Sequence, residues 1–162
     1  MKLFISLSLL LISLTAIAQD SSKQNFKLDR NKIAILKSKN KKNVALNAKE
    51  FVVIENILQR CIDSHNSKLD STSYQFLQLN NYRRQYIAYS DNHQKMVWVN
   101  CFCNEDAKMF PYWKKKTVFV YDGGGCFFNV LINLSKQQCE DFWVNGLAYS
   151  RSNMGEFRHD SE

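Results

Sequence analysis

The sequence contains few of the residues that interrupt regular structure. Of its 162 residues, one is proline (Pro111) and five are glycine. Collagen-like and low-complexity chains are rich in both residues, so those two classes are excluded. Aromatic residues make up 13% of the chain, which is enough to build a hydrophobic core. This length and composition predict a single folded domain.

Long apolar runs are also lacking, with one exception at the start of the chain. Lys2 precedes an apolar stretch over 3–14, and Ala16-Ile17-Ala18 supplies small residues. This order is typical of a secretory signal peptide, and the run is too short to span a bilayer comfortably. We expect cleavage after Ala18 and an exported protein, periplasmic or secreted, that does not span the membrane. The predicted organisation is a signal peptide (1–18), a flexible N-terminus (19–31), a single domain (32–148) and a flexible tail (149–162).

Paired acidic residues are lacking too, because the acidic residues present are scattered. No pair of carboxylates therefore indicates a hydrolase. The segment Asp122-Gly123-Gly124-Gly125 lacks the following helix, lysine and hydroxyl of a phosphate-binding loop, and we interpret it as a hairpin turn. The sequence predicts a non-enzymatic binding or interaction module, and it assigns no catalytic residue, cofactor or metal.

One alternative is a small enzyme, hydrolytic or dependent on a thiol. Cys61 and His65 stand four residues apart on a predicted helix, close enough for a thiol–imidazole pair or half of a metal site. A nucleophile would also need an oxyanion hole and an orienting group. The simpler interpretation makes Cys61 a core residue or half of a disulfide, and His65 a residue at the end of the helix.

The net charge of the chain is +7, which favours acidic partners. The basic residues are scattered, apart from lysines within 37–42 and the run Lys114-Lys115-Lys116. Short lysine clusters of this kind are typical of solvated loops. The expected partner is an envelope or extracellular protein or an anionic surface, and nucleic acid is not expected.

One helix is predicted over 46–66. Asn47 is its N-cap, and Glu50, three residues later, completes a capping box. Apolar residues then repeat at helical spacing and form one stripe that packs on a neighbouring layer. The stripe consists of Phe51, Ile54, Leu58, Cys61 and Ile62.

Strand patterns predict the other elements at 32–36, 82–89, 95–103 and, as two linked hairpins, within 116–148. Strands of eight or nine residues match the length of the helix. The predicted fold class is α+β: one long helix packed on a meandering antiparallel sheet of four or five strands. Cystatin-like folds share this outline, so a protease inhibitor is a further alternative. The first hairpin, however, has no Gln-x-Val-x-Gly segment.

Five cysteines are present, so at least one is unpaired within the chain. Cys101 and Cys103 point the same way from one strand and are poorly placed to bond each other. We predict instead a disulfide from Cys61 to Cys101 or Cys103, at a shared edge of helix and sheet. Cys126 and Cys139 are not expected to bond, because the predicted hairpin separates them by roughly 26 Å.

Large apolar side chains outnumber the positions on one face of the sheet. Met96, Trp98 and Phe102 point away from Val97 and Val99 in the same predicted strand. Aromatic residues further along the chain add to the excess. We interpret a set of these as a candidate binding surface, the alternative being a sheet covered on both faces by polar loops. The candidate surface consists of Trp98, Phe102, Phe127 and Trp143.

Four segments stand out together, accompanied by Cys61-Ile62 late in the helix. The segments are Tyr82-Arg83-Arg84-Gln85-Tyr86, Trp98-Val99-Asn100-Cys101-Phe102-Cys103, Asp122-Gly123-Gly124-Gly125-Cys126-Phe127-Phe128 and Val144-Asn145-Gly146-Leu147-Ala148. In these segments the chain resembles a group of small exported bacterial proteins with no assigned activity. The resemblance covers 33–148. It implies a shared fold and export, and it carries over no catalytic residue.

Overall fold

The computed structural model describes residue 29 and residues 31–146. The signal peptide and the tail over 149–162 lie outside these residues, as does most of the segment 19–31. In the part of the chain that is described, no helix is long and apolar enough to cross a membrane. The elements are β1 (Ile33–Leu36), β2 (Lys42–Asn43), α1 (Ala48–Asn66), β3 (Tyr82–Asp91), β4 (Gln94–Cys103), β5 (Phe127–Asn133) and β6 (Gln138–Val144).

The strands form one mixed sheet in the order β1-β3-β4-β5-β6, and β2 also pairs with β3. Strands β3, β4, β5 and β6 run antiparallel to one another in that order, and one helix packs on the sheet. The α+β class is therefore confirmed. The structure differs from the expected meander at one edge, where β1 runs parallel to β3. The chain between these two strands contains α1, and a crossover of that length allows two strands to run in the same direction.

Helix α1 begins where the sequence predicts. The side-chain oxygen of Asn47 accepts a hydrogen bond from the backbone N–H of Glu50 at 3.0 Å, and Glu50 accepts from the backbone N–H of Asn47 at 2.9 Å. The predicted capping box is therefore confirmed. The apolar stripe of α1 packs on one face of the sheet, where Val97 and Val99 are fully buried. We call this side the helix face.

The opposite face is covered by residues 104–126, which we call the strap. The first strand of the two hairpins predicted within 116–148 is wrong, because residues 116–123 have no strand structure. The segment from Asp122 to Gly125 is therefore not the hairpin turn that was predicted. Trp113 and Val118 of the strap are instead buried against Phe102 and Phe127 in a second apolar cluster. The strap then turns back to the sheet at Gly123, whose φ of +93° is a conformation that glycine adopts readily. We call this side the strap face.

All five cysteines lie in the described part of the chain, and four of them form two disulfides. The pairs are Cys61–Cys139, with Cα atoms 6.3 Å apart, and Cys103–Cys126, with Cα atoms 4.9 Å apart. The predicted bond from Cys61 to Cys101 or Cys103 is wrong, and Cys101 is a buried free thiol. Cys139 lies opposite Ile132 on β5, and that register brings it to the helix face beside Cys61.

The register of β4 on β5 explains the second bond. Phe102 lies opposite Phe127, so Cys103 and Cys126 are the adjoining residues at the same end of the two strands. This bond was not expected, because the predicted hairpin paired the residues next to Cys126 with a strand where the strap lies. The expected separation of Cys126 and Cys139 is confirmed, since each bonds a different cysteine.

Candidate functional site

A row of polar side chains crosses the sheet on the strap face. Gln85 lies opposite Asn100, Asn100 opposite Asn129, and Asn129 opposite Trp143. Residues in one register row project from the same face of a sheet. The three amide residues, which we call the amide row, are all buried. Three buried amides side by side need several hydrogen-bond partners, and the strap is the neighbouring segment that can supply them.

Two members of the amide row hold the strap in place. Gln85 accepts a hydrogen bond from the backbone N–H of Val118 at 2.9 Å and donates to the carbonyl oxygens of Trp113 and Lys116. Asn100 donates to the Gln85 side-chain oxygen at 2.9 Å and to the Val118 carbonyl at 2.8 Å. These side-chain bonds satisfy a backbone that has no strand partner. They fix the strap over β3 and β4.

The third amide is not paired in this way. Asn129 is 9% exposed, and its buried Oδ1 atom has no hydrogen-bond partner among the residues described. The next side chain that bonds the strap is Asn145, which follows β6. It donates to the carbonyl oxygens of Val120 at 2.6 Å and Asp122 at 3.1 Å. A buried polar atom without a partner costs free energy. A ligand that pairs with the Asn129 amide would lower that cost.

Between the strap and strands β4 to β6 lies a groove of about 370 Å³. Tyr121 is 97% exposed at its rim, Phe119 72% and Trp143 46%. Small-molecule pockets typically measure about 300–1,000 Å³, so this groove suits a small unit. We call it the aromatic groove and define it by six of its lining residues. They are Trp98, Phe119, Tyr121, Asn129, Trp143 and Asn145.

The structure brings part of the predicted surface together. Trp98 and Trp143 both line the aromatic groove. Phe102 is wrong as a surface residue, because it is fully buried under the strap with its ring 5.8 Å from that of Trp113. Phe127 is also buried, although it reaches the lining of the groove. Both residues are buried because the strap covers this face of the sheet, as in the alternative of a sheet covered on both faces.

Four of the six residues that define the groove were not among the predicted surface residues. Phe119 and Tyr121 were counted among the excess aromatic residues but were left out of the predicted surface, and Asn145 was noted only within the segment 144–148. Asn129 gave one weak signal, its position two residues after Phe127 and so on the same strand face. Its role depends on the partners of the neighbouring amides, which the sequence does not show.

The helix face holds a different polar cluster. The Tyr86 hydroxyl donates to the Glu55 carboxylate, and Arg84 Nε donates to the Tyr86 hydroxyl oxygen at 2.9 Å. Arg84 Nε also lies 3.4 Å from a Glu55 oxygen. Burial raises the pKa of the Glu55 carboxyl, and the Arg84 charge opposes that rise. We call these three residues the buried triad. Since all three are enclosed, they stabilise the core and do not face a ligand.

A second groove, of about 440 Å³, lies beside the end of α1 and β6. It contains the pair of residues considered for thiol chemistry. Cys61 is bonded to Cys139, and His65 Nε2 lies 3.0 Å from the carbonyl oxygen of Gln75. Each member of the pair is therefore engaged with another group, and the two do not form a nucleophile and its base.

One cluster of potential metal ligands occurs in the described part of the chain. Atoms of Cys103, Asp106 and Cys126 lie within 4.8 Å of one another. The two sulfur atoms form a disulfide, whereas metals bind the thiolate. The cluster in this oxidation state supports no metal assignment.

Comparison of the chain with models of known protein families, with curated proteins and with solved structures gave no match. The fold and the groove define the chain by class, as a disulfide-bonded α+β domain with one half-covered sheet face. The resemblance to small exported bacterial proteins stays a prediction.

Proposed function

We propose that the protein is an exported, non-enzymatic binding module whose ligand occupies the aromatic groove. The observation that carries the proposal is the state of Asn129, buried without a partner beside exposed aromatic rings. Packing of the domain gains nothing from rings as exposed as Tyr121 and Phe119. A ligand that covers these rings and pairs with the Asn129 amide would gain from both contacts.

Two disulfides support the export part of the proposal. Disulfides persist in oxidising compartments, including the periplasm and the extracellular space, and are rare in the cytosol. The bonds Cys61–Cys139 and Cys103–Cys126 link elements on both faces of the sheet. The proposed partner accordingly belongs to the envelope or the exterior of the cell.

The two alternative functions have weaker support. A thiol enzyme needs an accessible cysteine with a lowered pKa, whereas Cys101 is fully buried and burial raises the pKa of its thiol. For a cystatin-like inhibitor, the first hairpin would carry an inhibitory segment. That hairpin instead ends in a tight turn at Asn92 and His93, both with positive φ. Neither alternative has an observation of its own comparable to the aromatic groove.

Loss of the exposed rings tests the proposed function. The double variant Tyr121→Ala/Trp143→Ala and the wild type would be immobilised and incubated with envelope and culture-medium fractions. Retained protein, glycan and lipid would then be quantified by mass spectrometry. We expect the double variant to lose what the wild type retains. Tyr74→Ala is the matched control, because Tyr74 is 60% exposed and lies outside the groove.

Equal retention by the double variant and the wild type would contradict the proposal. Thermal unfolding of both proteins serves as a check on folding. Tyr121 is almost fully exposed and Trp143 about half exposed, so their removal is expected to leave the fold intact.

A further inference from the structure

The aromatic groove is free of charge although the protein is basic. The chain carries a net charge of +7, yet none of the described residues that line the groove is charged. A charged ligand would give up hydration there and find no opposite charge in return. The lining therefore favours a ligand that is neutral.

The polar groups of the groove also restrict the ligand. The Asn129 amide has no hydrogen-bond partner among the described residues, its Oδ1 atom is enclosed, and the residue lines the groove, so the ligand has to present a polar group that can both donate and accept. Trp143 lies directly opposite Asn129 in the sheet, close enough for one small unit to touch both side chains. Such a unit needs an apolar face for the indole ring and a polar group of this kind at its edge.

Resting on the proposed function, we propose that the aromatic groove binds a neutral saccharide and that Asn129 selects it. A sugar ring has a C–H face that packs on an aromatic ring, and its rim carries hydroxyl groups that both donate and accept. One hydroxyl pairs with the Asn129 amide, while the ring face lies on Trp143. The exposed rings of Phe119 and Tyr121 extend the apolar surface to a second sugar unit.

An extended peptide is the main competing ligand. A peptide bound by a sheet pairs its backbone with an unpaired strand edge. The floor of the aromatic groove is a sheet face, and the backbones of β4 and β5 are paired to neighbouring strands. The strap carbonyls of Val120 and Asp122 are bonded to Asn145. A peptide laid on this floor would lack the partners that β-addition provides, which β6 offers at its outer edge and not on the sheet face. Hydroxyl groups are served there by side chains and by water at the open side.

Direct binding of defined sugars tests the inference. The full chain would be screened on an array of neutral and sialylated glycans. It would then be titrated with cellotriose, maltotriose and chitotriose, followed by tryptophan fluorescence and calorimetry. We expect binding to at least one neutral glycan, with a change in tryptophan emission because Trp98 and Trp143 line the groove. Added salt is expected to leave the affinity unchanged, since no ion pair forms.

Asn129→Ala is expected to weaken saccharide binding about tenfold, because one hydrogen bond in an enclosed site is lost. Asn104→Ala is the matched control. Asn104 also has a buried, unpaired Oδ1 atom, but it lies outside the groove, so its removal is expected to leave affinity unchanged. Thermal unfolding of both variants separates a loss of fold from a loss of contact.

The outcomes separate the two proposals. Binding to no neutral glycan overturns the saccharide inference, and the proposed function survives if Tyr121→Ala/Trp143→Ala still loses a peptide or lipid that the wild type retains. Saccharide binding that Asn129→Ala and Trp143→Ala leave unchanged also overturns the inference, because the site then lies elsewhere. If the double variant retains everything that the wild type retains, the proposed function fails as well.

Discussion

The two faces of the sheet are covered in different ways. On the helix face, α1 lays a continuous apolar stripe over the strands, and the polar side chains of the buried triad bond one another. On the strap face, the cover is an irregular segment held by individual hydrogen bonds to the side chains of Gln85, Asn100 and Asn145. Since such bonds hold the strap at separate positions, a groove remains between the strap and the sheet beside Asn129. We call the helix face closed because its central polar side chains are paired, although a groove lies at its border beside the end of α1 and β6. The groove over Asn129 in the strap face is the candidate site.

The largest expected effect concerns the closed face. Arg84→Met leaves the buried Glu55 carboxylate without its cation, and we expect a loss of about 3–5 kcal/mol in the free energy of unfolding. Urea denaturation measures this loss. The double variant Arg84→Met/Glu55→Met, which removes both charges, is expected to regain most of it. A single variant as stable as the wild type would show that the triad contributes nothing to the closed face.

The two disulfides allow the faces to be compared directly. Cys61–Cys139 closes a sequence separation of 78 residues on the helix face, and Cys103–Cys126 closes one of 23 residues. Replacing either pair by alanine is expected to cost about 2–4 kcal/mol. Loss of the longer loop is expected to cost about 1 kcal/mol more, because loop-closure entropy grows with length. Denaturant titrations of the two variants give the order. The reverse order would mean that the strap depends on its bond more than the helix face does.

A third comparison lies within the amide row. Gln85→Leu leaves the buried N–H of Val118 unpaired, so we expect a loss of about 2 kcal/mol. Asn129→Leu removes an oxygen atom that has no partner, so stability is expected to stay level or to rise by about 1 kcal/mol. Chemical denaturation of the two variants decides between a fastening role and a binding role. Equal losses would show that Asn129 fastens the strap as Gln85 does.

Local rules account for what the sequence predicts correctly. The capping box of Asn47 and Glu50 depends on residues three apart, and the pairing of the strands predicted at 82–89 and 95–103 depends on the short turn between them. The alternation that separates Val97 and Val99 from Phe102 needs only the period of a strand. Each of these features is confirmed because no distant contact competes with the local signal.

The features that the sequence does not predict depend on distant partners. Residues 117–121 are all β-branched or aromatic, as in many strands, but the side chains of Gln85 and Asn100 bind the backbone of Val118 and hold it across the sheet. The disulfides follow from the register of β4, β5 and β6, which no local pattern sets. The groove lies beside Asn129, the member of the amide row that makes no hydrogen bond to the strap. The candidate site is therefore a property of the assembled sheet and not of any motif.

The smallest expected effect is a pH dependence that comes from the closed face. Burial raises the pKa of Glu55 above its ordinary value of 4.5. Its contribution to stability is therefore full below pH 4.5 and is lost as the pH rises through the folded-state pKa. Tyr86 and Cys101, whose pKa values burial also raises, stay neutral in this window, and Arg84 stays charged. Urea denaturation in steps from pH 4.5 to pH 8 should show the wild type losing stability relative to Glu55→Gln. Parallel profiles for the two proteins would place the Glu55 carboxyl in contact with water and would remove the contrast between a closed and an open face.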